Sequence, residues 1–147
     1  MHILQFRIAG DLLVPEDLAT LFKMQPKLSH IKGEEIKSSF LIWEYAIGTT
    51  HYQGSWLAEP KVPDEQSIEK AIEDFIYQFS PFSKHVRGLV DSNKYNFTLW
   101  LTIFPEDVQL HFRISPDVIS RLFDMGITFG VSIMSLQDIY AGRPPGV

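Results

Sequence analysis

Five histidines, the adjacent acids Glu34-Glu35 and Glu106-Asp107, and one serine behind a glycine are the residues of this chain whose types could carry chemistry. His2, His30, His51, His85 and His111 form no HxH or HxxxH pair, and no carboxylate stands at a supporting helical spacing, so the pattern predicts no metal site. Ser55 follows Gly54 but runs into Trp56-Leu57, without the closing glycine and helix of a nucleophile elbow. Glu34-Glu35 and Glu106-Asp107 have the composition of an acid–base pair, yet adjacent acids in polar turns usually serve only to solubilise. Neither GxGxxG nor GK[ST] occurs, and with no cysteine there is no thiolate nucleophile, disulfide or thiolate-held metal. The expectation is a chain with no catalytic residue, no cofactor and no metal.

Recognition chemistry is better represented. Alternation along the apparent strands places Gln5 and Arg7, then Trp43 and Tyr45, then Thr98, Trp100 and Thr102, then Gln109, His111 and Arg113 on one side of a sheet. Aromatics mixed with arginine are the usual material of interface hot spots. Arg7, Trp43, Trp100, His111 and Arg113 are therefore the candidate partner-binding residues. The competing reading packs Trp43 and Trp100 under the second helix or a loop and leaves His111 as a solvated sheet residue. His51, Tyr52 and Trp56 form a second cluster, in which a tryptophan after Gly-Ser reads more readily as an anchor closing a turn. Glu69, Glu73 and Asp74 offer an acidic alternative for a basic partner. The same aromatic mixture could stack RNA bases, but a net charge of -5 works against binding a phosphate backbone, and no nucleic acid is expected.

Several elements must position these residues. His2 to Ile8 alternates as a half-buried strand. A first helix starts near Pro15, buries Leu18, Leu21 and Phe22, and ends before Pro26. Lys27 to Lys37 reads as polar loop, Phe40 to Ile47 and Gly54 to Ala58 as strands. The second helix follows Pro63-Asp64-Glu65 and carries one apolar stripe of Ile68, Ala71, Ile72, Phe75, Ile76 and Phe79. From Ser80-Pro81 to Val90 the sequence assigns nothing. Tyr95 to Phe104 and Val108 to Ile114 read as a hairpin around Pro105-Glu106-Asp107. Ser115 caps a third helix, Pro116 to Met125, which Gly126 ends, and Ile127 to Met134 is a last strand.

Phe6-Arg7-Ile8 followed by the Pro15 helix echoes Phe112-Arg113-Ile114 followed by the Pro116 helix, which suggests an approximate internal duplication. The expected fold class is α+β, a largely antiparallel sheet with about three helices on one face. One domain over residues 1–140 fits the length of 147 residues, with 141–147 as a disordered tail. No signal peptide is read at the start, and no apolar run approaches the roughly 20 residues of a membrane span, so a cytoplasmic protein with no membrane contact is expected.

Taken together, Phe6-Arg7-Ile8-Ala9-Gly10, Pro15, Pro26, Lys32-Gly33, Gly54-Ser55-Trp56, Phe79-Ser80-Pro81 and Ile114-Ser115-Pro116 leading to Gly126 resemble the bacterial domain-of-unknown-function family 4279 over nearly the whole chain. The resemblance carries no active site. It implies a small cytoplasmic bacterial protein, and some such domains look like immunity proteins of toxin systems. The functional expectation is a non-catalytic protein-binding domain, with an immunity-type inhibitor of a basic, toxin-like protein as its sharpest form. The alternative is a small-molecule-binding protein or enzyme whose site is assembled from residues distant in sequence. A self-associating domain is a third possibility, which an exposed apolar patch would favour. The sequence leaves oligomeric state open.

Overall fold

Alternation along the first strand sets the middle of the molecule. In β1 (His2–Gly10), Leu4, Phe6 and Ile8 are buried on one side, whereas Ile3, Gln5 and Arg7 are half-buried on the other. The computed structural model describes residues 2–35, 50–60, 62, 66–104 and 112–133. Its further elements are α1 (Pro15–Phe22), β2 (Leu28–His30), β3 (Gly54–Ala58), α2 (Ile68–Phe79), α3 (Ser83–Asp91), β4 (Asn96–Ile103), α4 (Pro116–Met125) and β5 (Thr128–Ile133). A single 3-10 turn, Ser80–Phe82, links α2 to α3.

The five strands lie in the order β2-β3-β1-β4-β5. All pairs are antiparallel except β4 with β5, which the chain reaches by crossing over through α4. The fold is α+β as expected, and its helices cover the Leu4-Phe6-Ile8 side. The Phe6 ring lies 5.1 Å from Phe75 and 4.9 Å from Phe79 of α2, and 6.1 Å from Phe22 of α1. The predicted α2 stripe is buried in full, and Val86, Val118, Leu122 and Met125 add α3 and α4 to the same core. Trp56, fully buried, meets Phe6 and Phe22 in that core and is the anchor its position after Gly-Ser suggests.

The structure corrects the sequence reading in several places. Three residues of the supposed polar loop form β2, because backbone pairing with β3 needs no apolar pattern on a strand this short. α2 begins at Ile68, its Ser67 hydroxyl accepting from Lys70 N at 3.2 Å, so serine capping rather than the upstream proline and acids sets its start. The unassigned stretch contains α3. Among the described residues β4 has no hairpin partner: over Thr98–Ile103 both its edges are taken, by β1 and by β5, and residues 112–115 are not strand.

The internal duplication is not confirmed. α1 and α4 share a proline in the first turn and a left-handed residue at the end, Lys23 and Gly126. Only α1, however, is fed by a strand; Phe112-Arg113-Ile114 is irregular, and Ser115 caps α4 where Val14 gives α1 no side-chain cap. The echo is shared helix-start chemistry. Phe40 to Ile47, with Trp43 and Tyr45, lies outside the described residues, as do Gln109, His111 and the tail.

Candidate functional site on the outer face of the sheet

Register determines which polar side chains meet on the face opposite the described helices. Across β1 and β4, Gln5 stands opposite Trp100, Arg7 opposite Thr98, and Ile3 opposite Thr102. Across β1 and β3, Arg7 is opposite Leu57 and Ala9 opposite Ser55, while His30 of β2 faces Ser55. Directly paired residues share a face, so Arg7, Trp100, Ser55 and His30 all project to the outer side, with Arg7 and Trp100 as diagonal neighbours.

Trp100 is 39% exposed in a five-stranded sheet whose opposite face is closed. Its ring lies against Gly130 of β5, where a Cβ would overlap the indole. A glycine in a strand interior normally weakens it, and here the missing side chain leaves room for the tryptophan ring. Arg7 Nε donates to Ser55 Oγ at 3.3 Å. Glu59, at the end of β3, accepts from Gln5 Nε2 at 3.1 Å and Lys27 Nζ at 2.7 Å. Partial burial pushes the Glu59 carboxyl upward, but the two hydrogen bonds and the Lys27 charge outweigh it and hold its pKa below the usual range.

Beyond Ser55 the face ends in a stacked imidazole pair. The His30 and His51 rings lie 3.4 Å apart and within 14° of parallel, and both residues are buried. The turn at 31–34 holds them together: His51 N donates to the Glu34 carbonyl at 2.8 Å and Gly33 N to the His51 carbonyl at 2.9 Å. Burial lowers the His30 pKa from 6.5 to about 4, helped by the neighbouring charges of His51 and Arg7 and opposed by a hydrogen bond with the Gln53 backbone. At neutral pH this imidazole is uncharged. Among the described residues no cluster of three or more His, Cys, Asp or Glu could hold a metal ion.

Of the five residues singled out in the sequence, the structure brings Arg7 and Trp100 together. It separates Arg113, whose backbone N–H donates to Glu69 Oε1 of α2 at 2.9 Å, on the helix layer. The strand alternation that grouped it with Arg7 does not exist there. Trp43 and His111 lie outside the described residues. The acidic alternative is largely spoken for: the Arg113 hydrogen bond lowers the Glu69 pKa, and Asp74 is engaged by Lys70 and Gln66. An open groove of about 480 Å³ between α2 and α4 is lined by Lys70, Glu73, Asp74, Tyr77, Asp117 and Arg121, on the layer remote from Trp100. The sequence reading weighed His30 only as an isolated histidine and missed its stacking, since contact with a residue 21 positions away leaves no local signal.

These features define a small α+β protein with one sheet face closed by helices and a second, polar-aromatic face on which Trp100 is part-exposed while Ser55 and His30 are buried. The chain belongs to the family described as Domain of unknown function (DUF4279), whose model matches residues 1–136. No curated protein and no solved structure matches it. Among the described residues no helix is long and apolar enough to cross a membrane.

Proposed function

We propose that this chain is a non-catalytic protein-binding domain that engages its partner through the outer sheet face around Trp100, Arg7, Thr98 and Thr102. The observation that supports this most directly is Trp100 itself. A tryptophan 39% exposed at the centre of a strand, its ring lying over Gly130 and an arginine diagonal to it, offers large apolar area. The net charge of -5 suits a basic partner, and the family resemblance gives the sharper form, an immunity-type inhibitor of a toxin. The test is capture of the tagged protein from its native cells at low and high salt, followed by reconstitution with the purified partner. A stoichiometric complex that Trp100→Ala and Thr102→Arg weaken at least about tenfold is expected, a loss near 1.4 kcal/mol. Unchanged affinity in both variants, with the fold intact, rejects this face.

A second reading, a small-molecule site, draws on the buried His30–His51 stack beside Ser55 and Arg7. It predicts imidazole chemical-shift changes on titration with small anions, and shifts that stay fixed across such a panel would eliminate it.

A further inference from the structure

We propose that β5 is the joint of a two-fold dimer, pairing edge to edge and antiparallel with β5 of a second copy of this chain so that the two sheets become one. Among the described residues β5 has one neighbour, β4, and no described strand pairs with its other edge. Sheet edges are normally blunted by brevity, charge, proline or bulges. The opposite edge follows that rule: β2 has three residues, is preceded by Pro26-Lys27 and followed by Lys32. β5 runs for six residues, Thr128-Phe129-Gly130-Val131-Ser132-Ile133, with neither charge nor proline.

Apolar side chains flank this edge. Val131 and Ile133 stand on the helix side of the sheet, in register with the buried Leu101 and Ile103, yet are 40% and 63% exposed. Above them, α4 turns Asp117 and Arg121 toward α2. Helical spacing therefore puts Ile119 and Phe123, 55% and 76% exposed, on the flank of α4 away from α2, over the outer edge of the sheet.

A second copy is the occupant because the surface is self-compatible. Antiparallel pairing about a two-fold axis normal to the sheet keeps Val131 and Ile133 of both copies on one side, and an uncharged strand meets no like charge across the axis. Such pairing uses up both edges and stops at two.

Sedimentation equilibrium of the full chain across a concentration series, with hydrogen exchange at β5, tests the proposal. The expected result is a monomer–dimer equilibrium in which β5 amides gain protection with concentration, and which Ile133→Lys and Phe123→Glu each weaken at least about tenfold. Leu28→Lys on the β2 edge should leave it unchanged. Both test positions are exposed, so far-UV circular dichroism should confirm an intact fold. A monomer at every concentration, a dimer indifferent to both variants, or growth beyond two copies would each overturn the proposal. So would protection, in the monomer, of the β5 amides that point away from β4, which would mean that another segment of the same chain covers the edge.

Discussion

The two faces of the sheet are made from the same strands, yet they obey different physics. On one, Leu4, Phe6 and Ile8 meet Leu99, Phe97 and Leu101 and the helices, and every side chain is chosen for volume. On the other, Gln5, Arg7, Ser55, His30 and Trp100 are held by pairwise hydrogen bonds, ring stacking and one glycine seat. The first face tolerates little change because apolar packing is collective. The second can exchange residues singly, which is what a surface free to match a partner requires. Substitutions on the closed face should register as lost stability, and those on the open face as lost recognition or altered pH response.

The largest effect is expected at the closed face. Phe79 is 1% exposed and its ring is in contact with those of Phe6, Phe22 and Phe75. Phe79→Ala should cost about 3–5 kcal/mol in urea or thermal unfolding, through lost burial and the cavity left among the rings. A loss below about 1 kcal/mol would show that the two faces are less distinct than the packing indicates.

On the open face the largest expected effect is conditional on pH. His30 has a folded pKa near 4 against an ordinary 6.5, so the unfolded chain binds the extra proton between those values. Stability is complete above pH 6.5, falls as pH drops through the interval and levels off, for this group, below about 4. The loss should be about 2 kcal/mol, less than the full shift implies because the group keeps some contact with solvent. Denaturant midpoints measured between pH 7 and 5 separate His30 from the lowered carboxylates Glu59 and Glu69, which, ordinarily near 4.5, act mainly below that interval. His30→Asn should flatten the slope there, and an unchanged slope would place its origin elsewhere.

The sequence revealed the closed face far better than the open one. Helical spacing identified all six buried residues of α2, and alternation identified the buried side of β1, because both are local consequences of solvent exclusion. It misread the hairpin after β4 because pairing partners are set by chain crossing: β5 returns from beyond α4 to take the edge that Val108 to Ile114 was expected to occupy. The same limit governed the candidate site. Arg7 and Trp100 fell together because both lie on true, adjacent strands, whereas Arg113 obeyed a hydrogen bond to α2 that no period in the sequence encodes. His30 and His51 meet through the turn that folds residues 31–34 against 51 and through the pairing of His30 with Ser55.

The smallest stability effect lies where the proposed function is most concentrated. A Cβ at Gly130 would overlap the Trp100 indole, so Gly130→Ala must displace the ring or separate β4 from β5. The ring is partly solvated and can swing outward, and alanine is itself less costly than glycine in a strand, so the net loss should be only about 1 kcal/mol. Recognition should respond much more strongly, because the variant keeps the tryptophan but removes the seat that orients it. If Gly130→Ala weakens partner binding nearly as much as Trp100→Ala does, while its melting curve barely moves, then orientation of the ring is what the partner reads. Wild-type affinity together with a shifted tryptophan near-UV signal would instead show that the open face contributes area alone, without a fixed geometry.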